Sequence, residues 1–318
     1  MPTYDGGHYF LTVLAPITTG SVPYGSGFTS TVNALREQLA LLPVAAQRPL
    51  PGRQQSPFAR NTRNHFLRAA IIDDVAYNGR EQTNVVWMFL KNIDPTVPQP
   101  RDHLSCPFLF LGVDFDAASG ADSERDSYLA ELWDTMESEL RGIFTYCEGF
   151  DGKVTGAASF AKYIAQCQIE TTMPFNDYYV YDPQLPSWPW GLYAIPAVAG
   201  AAVLVLGIAV SWLFSAAVGL FLVLAGAATA GAVIWRAYAS IMAAGERPYP
   251  AAPDSTLPAV LKALHLQGAF ARFAIDTQAV AASESKAGEL HAAFGTFLAN
   301  NRPENVEAPT QSPGVYGI

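Results

Sequence analysis

Along residues 8–16 (HYFLTVLAP) apolar and polar side chains alternate as in a half-buried β-strand. After the turn-rich stretch TTGSVPYGSG, Phe28, Val32, Leu35, Leu39 and Leu42 recur at helical spacing, which predicts an amphipathic helix. A Pro-, Gln- and Arg-rich loop at 43–63 leads to a second strand at 64–73 (NHFLRAAIID) and a third at 107–115 (PFLFLGVDF), with an extra edge strand at 85–90. Ser123 and Asp126 have the spacing of a capping box, and Leu129, Leu132, Trp133, Met136 and Leu140 then trace one face of a second helix. A fourth strand is expected at 142–147, followed by a helix near 159–167 and a strand near 178–181. The order β-α-β-β-α-β is that of the ferredoxin-like split βαβ arrangement, an α+β fold with helices on one face of an antiparallel sheet.

The pattern then changes. Asp182 and Arg236 bracket 53 residues, 183–235, with no Asp, Glu, Lys, Arg or His. A transmembrane helix needs roughly 20 apolar residues to cross about 30 Å of hydrocarbon, so this tract holds two spans, placed at 191–211 and 216–235. Ser211, Trp212, Leu213, Phe214 and Ser215 form the expected turn. Trp188, Trp190 and Tyr193 before the first span, with Trp235 and Tyr238 after the second, form an aromatic belt at the near interface. Gly207 with Ser211, and Ala227 with Gly231, offer small residues at four-residue spacing for close helix contact. Pro196 falls in the first turns of its helix, where proline is tolerated. Arg236 and Arg247 follow the second span while the turn carries no charge, so the positive-inside rule puts both termini of this two-span membrane protein in the cytoplasm. Without a charged or histidine side chain inside the spans, transport and proton relay have no equipment.

The predicted organisation is an α+β domain at 1–182, a transmembrane helical hairpin at 188–236, a helix-strand-helix segment at 254–300 packed on the first domain, and an extended tail at 301–318. In the third segment, residues 257–266 read as a helix, 269–276 (AFARFAID) as a strand, and Leu290, Phe294, Phe297 and Leu298 as one face of a last helix.

Composition narrows the function. A net charge of −9 and a sequence pI near 5.0 argue against a nucleic-acid partner, whose phosphates call for clustered Lys and Arg. Cys106, Cys147 and Cys167 are odd in number and widely spaced, which fits reduced thiols, and no CxxC pair is present to bind a metal. Residues 1–8 lack the basic flank and apolar core of a secretory signal. The chain has no Gly-x-Ser-x-Gly elbow, Gly-x-Gly-x-x-Gly fingerprint or Walker loop.

PFARNTRNHFLRAAIIDD at 57–74 and FTYCEGFDG at 144–152 resemble segments of bacterial proteins related to the dimeric α+β barrel and dye-decolorising-peroxidase superfamily, and LKALHLQGAFARFAIDTQ at 261–278 resembles a second, shortened module. The resemblance implies ferredoxin-like modules and haem peroxidase chemistry, with His265 as the implied proximal haem ligand. Gly149, Phe150, Asp151 and Gly152 stand one residue short of that family's Gly-x-x-Asp-Gly signature.

In the expected sheet, the starts of the first two strands share an edge with the ends of the last two. His8, His65, Asp114, Asp116, Glu148 and Asp151 therefore fall on one rim. Imidazoles with carboxylates suit a divalent metal such as Zn, Mn or Fe, or acid–base work. Asp73 and Asp74 belong to the opposite rim, and His103 and His291 read as surface or packing residues. The acids between Asp114 and Asp126 lack the spacing of a calcium loop. An open sheet face beside Phe66, Phe110 and Trp133 offers a third reading, an apolar ligand pocket.

The leading expectation is a membrane-anchored, non-catalytic ferredoxin-like module that recruits or organises a partner, another chain or a second copy, at the cytoplasmic face, with no cofactor. The alternative is a membrane-bound oxidoreductase related to haem peroxidases, or a metal-dependent enzyme using the His8/His65 rim.

Overall fold

The structure, a computed structural model, describes residues 3–46, 55–75, 85–92, 94, 103–171 and 189–315. The chain divides into two compact units: Asn176–Pro250 with Met1–Pro2, and Thr3–Phe175 with Ala251–Ile318. The first is a helical pair and the second is α+β.

The α+β unit is built on the two most strongly alternating segments. Strand β2 (His8–Pro16) buries Tyr9, Leu11, Val13 and Ala15, while β6 (Phe108–Asp116) buries Leu109, Leu111, Val113 and Phe115. They pair antiparallel over their whole length, from His8↔Asp116 to Pro16↔Phe108. Strand β5 (Asn64–Ile72) pairs antiparallel with the other edge of β6. On the outer edge of β2 lie two short antiparallel strands, β1 (Tyr4–Asp5) and β7 (Gln168–Ile169). The sheet runs β1-β2-β6-β5, with β7 beside β2.

Residues that alternate toward one face meet the helices. The core joins those strand residues to Leu35 of α1 (Thr31–Leu41), to Tyr128, Leu129, Leu132, Trp133, Met136, Leu140, Ile143 and Phe144 of α3 (Asp122–Phe144), and to Phe160 and Ile164 of α4 (Ala157–Cys167). Each such side chain contributes roughly 1.5–3 kcal/mol by leaving water. Tyr9, Phe115 and Tyr128 stack in series, with centroids 5.1 and 3.9 Å apart. Helix α3 kinks at Met136, and the carbonyl of Thr135 accepts a bond from Arg60 at 3.0 Å.

Several sequence expectations are corrected. Residues 21–30 are not the approach to a helix: β3 (Ser21–Tyr24) and β4 (Gly27–Ser30) form a hairpin around Gly25, whose φ of 54° suits a two-residue loop, and Phe28 is exposed on it. Val85–Leu90, expected as an edge strand, is the short helix α2. The strand expected at 142–147 does not form, because α3 runs on to Phe144 and the chain then turns; only Cys147 bridges back, to Ile17. Its place beside β2 is taken by β7. Helix α3 begins at Asp122 with Ala121 as its N-cap, so Ser123 lies inside the helix and caps nothing. The strand expected at 178–181 lies outside the described residues.

After the helical pair, Leu257–Asp276 is one continuous helix, α7, and the strand expected at 269–276 is its second half. The apolar residues there recur at three- and four-residue intervals, a helical period that outweighs the local alternation. A short helix, α8 (Gln278–Ala281), links it to α9 (Ala287–Asn300), and Phe270, Phe273, Phe294 and Phe297 pack between the two long helices. The segment after α9 carries no long element. It is held by Gln311 N–H to the Leu261 carbonyl, by buried Lys262 to the Pro309 carbonyl, and by a bridge between Ala46 and Val315.

The other unit is α5 (Trp190–Leu213) and α6 (Ala216–Gly245), joined by Phe214 and Ser215. Both helices are long and apolar enough to cross a membrane. Helix α6 runs ten residues beyond the expected span, and Ser211 belongs to α5 rather than to the turn. Gly200 of α5 faces Gly226 and Ala230, and Gly207 faces Gly219 and Val223, an antiparallel register in which a Cβ at Gly207 would stand 2.6 Å from the Val223 nitrogen. Of the small residues singled out in the sequence, Gly207 and Ser211 lie in this contact. Ala227 and Gly231 face away from it, and nothing lies within 4 Å of a Cβ at Gly231.

Candidate functional site

The site is at the end of the sheet where β2 begins and β6 ends. His8 and Asp116 are direct cross-strand partners, and Asp114 lies two residues earlier on the same face of β6. His65 arrives by a different device. In β5, Asn64 pairs with Phe115 and Phe66 with Asp114, so His65 is an extra residue between them, a β-bulge. Asn64 points toward the helices, where its Oδ1 accepts a bond from Tyr128. Regular alternation leaves no position for His65 on the face of His8 next to Phe66; the bulge turns its ring there.

The resulting geometry is tight. His65 Nε2 lies 2.9 Å from Asp116 Oδ1, and His8 Nδ1 lies 3.6 Å from Asp114 Oδ1 and 3.9 Å from Asp116 Oδ1. The imidazole rings meet edge to face, with centroids 4.7 Å apart. Both histidine side chains are 1% exposed, against 17% for Asp116. Burial, reinforced by the neighbouring His65 ring and partly offset by Asp116, pulls His8 down to about 4, so its imidazole is neutral at pH 7. One donor atom each from His8, His65 and Asp116 can be chosen so that all lie within 4.8 Å of one another.

Besides its contact with His65, Asp116 is fixed by two further partners. Its Oδ2 accepts the backbone N–H of Leu257 at 2.8 Å, the first residue of α7, where helix amides are free and negative charge is favoured. Its backbone carbonyl accepts a bond from Arg63 Nε at 2.9 Å. Arg63 in turn pairs with Glu124 and Glu131 of α3 and lies over the ring of Phe115. The segment leading into α7 covers the start of β2: Gly7, at φ 88°, sits so close to Ala251 that a Cβ would come within 2.8 Å of the alanine methyl.

The other expected members are elsewhere. The Glu148 amide bonds to the carbonyl of Pro16, at the far end of β2, and Asp151 follows in the same turn. The rim assigned to Glu148 and Asp151 depended on a strand at 142–147; with a helix there instead, both fall at the opposite end of the sheet. Asp73 pairs with Arg36 and Asp74 with His103, away from the site. His265 lies in α7 with Nε2 3.1 Å from Asn301 Oδ1. Trp133 is in the core on the helix side, whereas Phe110 alternates with buried Leu109 and Leu111 and faces the other way, so these two residues do not line one pocket. Burial pushes the Cys147 thiol up to about 12 and raises Cys167 as well, which keeps both as thiols rather than nucleophiles.

Leu257 is the contributor that sequence reasoning missed. It lies 141 positions from Asp116 and acts through its backbone amide, which leaves no side-chain signature.

No family model, curated protein or solved structure matches this chain.

Proposed function

We propose that this chain is a membrane-anchored, non-catalytic module in which α5 and α6 span the bilayer and hold the α+β unit at the cytoplasmic face, where it recruits a protein partner. One observation carries the reading. The only buried residues of α5 and α6 are the glycines Gly200, Gly207, Gly219 and Gly226, while large apolar side chains such as Ile195, Trp212, Phe221 and Ile234 are exposed. A core helix of a water-soluble protein does the reverse, whereas in lipid the small residues draw helix backbones together and the large ones meet acyl chains. Trp190 and Trp212 mark the two ends of α5, about 33 Å apart at 1.5 Å per residue, which matches a hydrocarbon core with its interfacial aromatics. The strand order β7-β2-β6-β5 supports the ferredoxin-like reading of the α+β unit. Exposed Ile275 of α7 and Leu298 of α9 support the protein partner.

Protease protection of terminal tags in spheroplasts tests the orientation. Both tags survive external protease and are cleaved only after lysis; cleavage of either tag from outside overturns the assignment.

A further inference from the structure

We propose that His8, His65 and Asp116 form a binding site for one divalent transition-metal ion of the Zn, Mn or Fe class, with Asp114 beside it as a further oxygen ligand. Three features of the α+β unit converge on this assignment.

The donors come from three different strand positions and are brought to one point by specific backbone geometry. His8 and Asp116 are cross-strand partners and the β5 bulge supplies His65. Ligands bound to one ion at about 2.0–2.2 Å stand roughly 3–4 Å from each other. One pair is already at 2.9 Å, the next at 3.9 Å, and the whole set closes within 4.8 Å, so shifts of about an ångström bring all three onto one ion. Two nitrogens and one or two carboxylate oxygens suit a borderline divalent cation, and the absence of a thiolate donor removes the preference for softer ions.

The outer contacts hold the ligand where a metal would need it. Leu257 N–H binds the Asp116 oxygen that does not face His65, fixing the carboxylate plane and leaving Oδ1 turned toward the imidazoles. Beside the 2.9 Å contact of His65 with Asp116, the buried His8 ring brings a second imidazole nitrogen to 3.6 Å from Asp114 and 3.9 Å from Asp116.

The test uses the full chain in detergent micelles. The protein is stripped with chelator, equilibrated with Zn(II), Mn(II) or Co(II), desalted and analysed for bound metal. We expect one equivalent of at least one of these ions per chain, with affinity lowered by about a hundredfold or more in His8→Gln and His65→Gln and unchanged in His103→Gln, whose ring lies at the other end of the sheet. Absorption of the Co(II)-loaded wild type provides a readout that does not depend on variants folding: ligand-field bands report nitrogen and oxygen coordination within the protein. Less than a tenth of an equivalent of every ion, or binding that is the same in His8→Gln and His65→Gln as in wild type, overturns the site. Membrane anchoring stands or falls separately, since it does not enter this measurement.

Discussion

Asp116 holds His65 with one carboxylate oxygen and the Leu257 amide with the other, at 2.9 and 2.8 Å. A single side chain thus ties the bulged strand β5 to the first turn of the helix that follows the apolar pair in sequence. Asp116→Ala removes the contacts to the buried His65 imidazole and to the helix-terminal Leu257 amide together. The expected loss is about 2–3 kcal/mol of stability in chelator-treated protein, measured by denaturant titration. Amide exchange in residues 251–257 rises with it, while exchange in α1, which packs at the other end of the fold, does not.

The acid limb of stability carries the signature of His8. Its unfolded-state value is near 6.5 and its folded-state value near 4, so the unfolded chain binds more protons between those limits. Stability of the metal-free protein is therefore complete above about pH 6.5, falls progressively toward pH 4, and is insensitive to this group below that. The facing groups are His65, Asp114 and Asp116. In His8→Gln the slope over this window flattens, which thermal melts at a series of pH values will record.

The helical pair depends on four glycines and not on the others nearby. At Gly207 and Gly226 an added methyl would meet backbone nitrogens of the opposite helix at 2.6 and 2.5 Å, whereas at Gly231 it would enter open space. Gly207→Ala and Gly226→Ala are expected to cost about 1–3 kcal/mol each through forced separation of the helices, and Gly231→Ala to be silent. Thermal unfolding in micelles separates the two classes.

Helices α7 and α9 are joined mainly by aromatic rings, with Phe273 at 5.0 Å from Phe297 and 5.8 Å from Phe294. Phe273→Ala removes the central ring of this cluster. About 3 kcal/mol is lost locally, read as faster amide exchange in α9, with the sheet amides unaffected.

Much of this architecture was legible because it is written in periodicity. The strand at 8–16 is observed with those limits, as His8–Pro16, and the helix face from Leu129 to Leu140 is buried in the core as its spacing requires. The 53-residue neutral tract announced two long apolar helices for the same reason. What failed was decided by neighbours. Residues 142–147 are apolar enough for a strand, but α3 had room to continue and β2 already had another edge partner in β7. The hairpin at 21–30 was legible, since Gly25-Ser26 between short runs is a two-residue turn signal, yet Phe28 at helical spacing masked it. At the site, His8, His65, Asp114 and Asp116 could be grouped from strand direction alone. The bulge that turns His65 inward and the amide of Leu257 could not, because one is a register shift and the other a contact across 141 positions.

The central proposal is that lipid is the solvent of α5 and α6. Alkaline carbonate extraction of membranes, followed by ultracentrifugation, tests this most directly. The intact chain is predicted to stay in the pellet and to enter solution only with detergent. Recovery of the full-length chain as a monodisperse species in the detergent-free supernatant would contradict it.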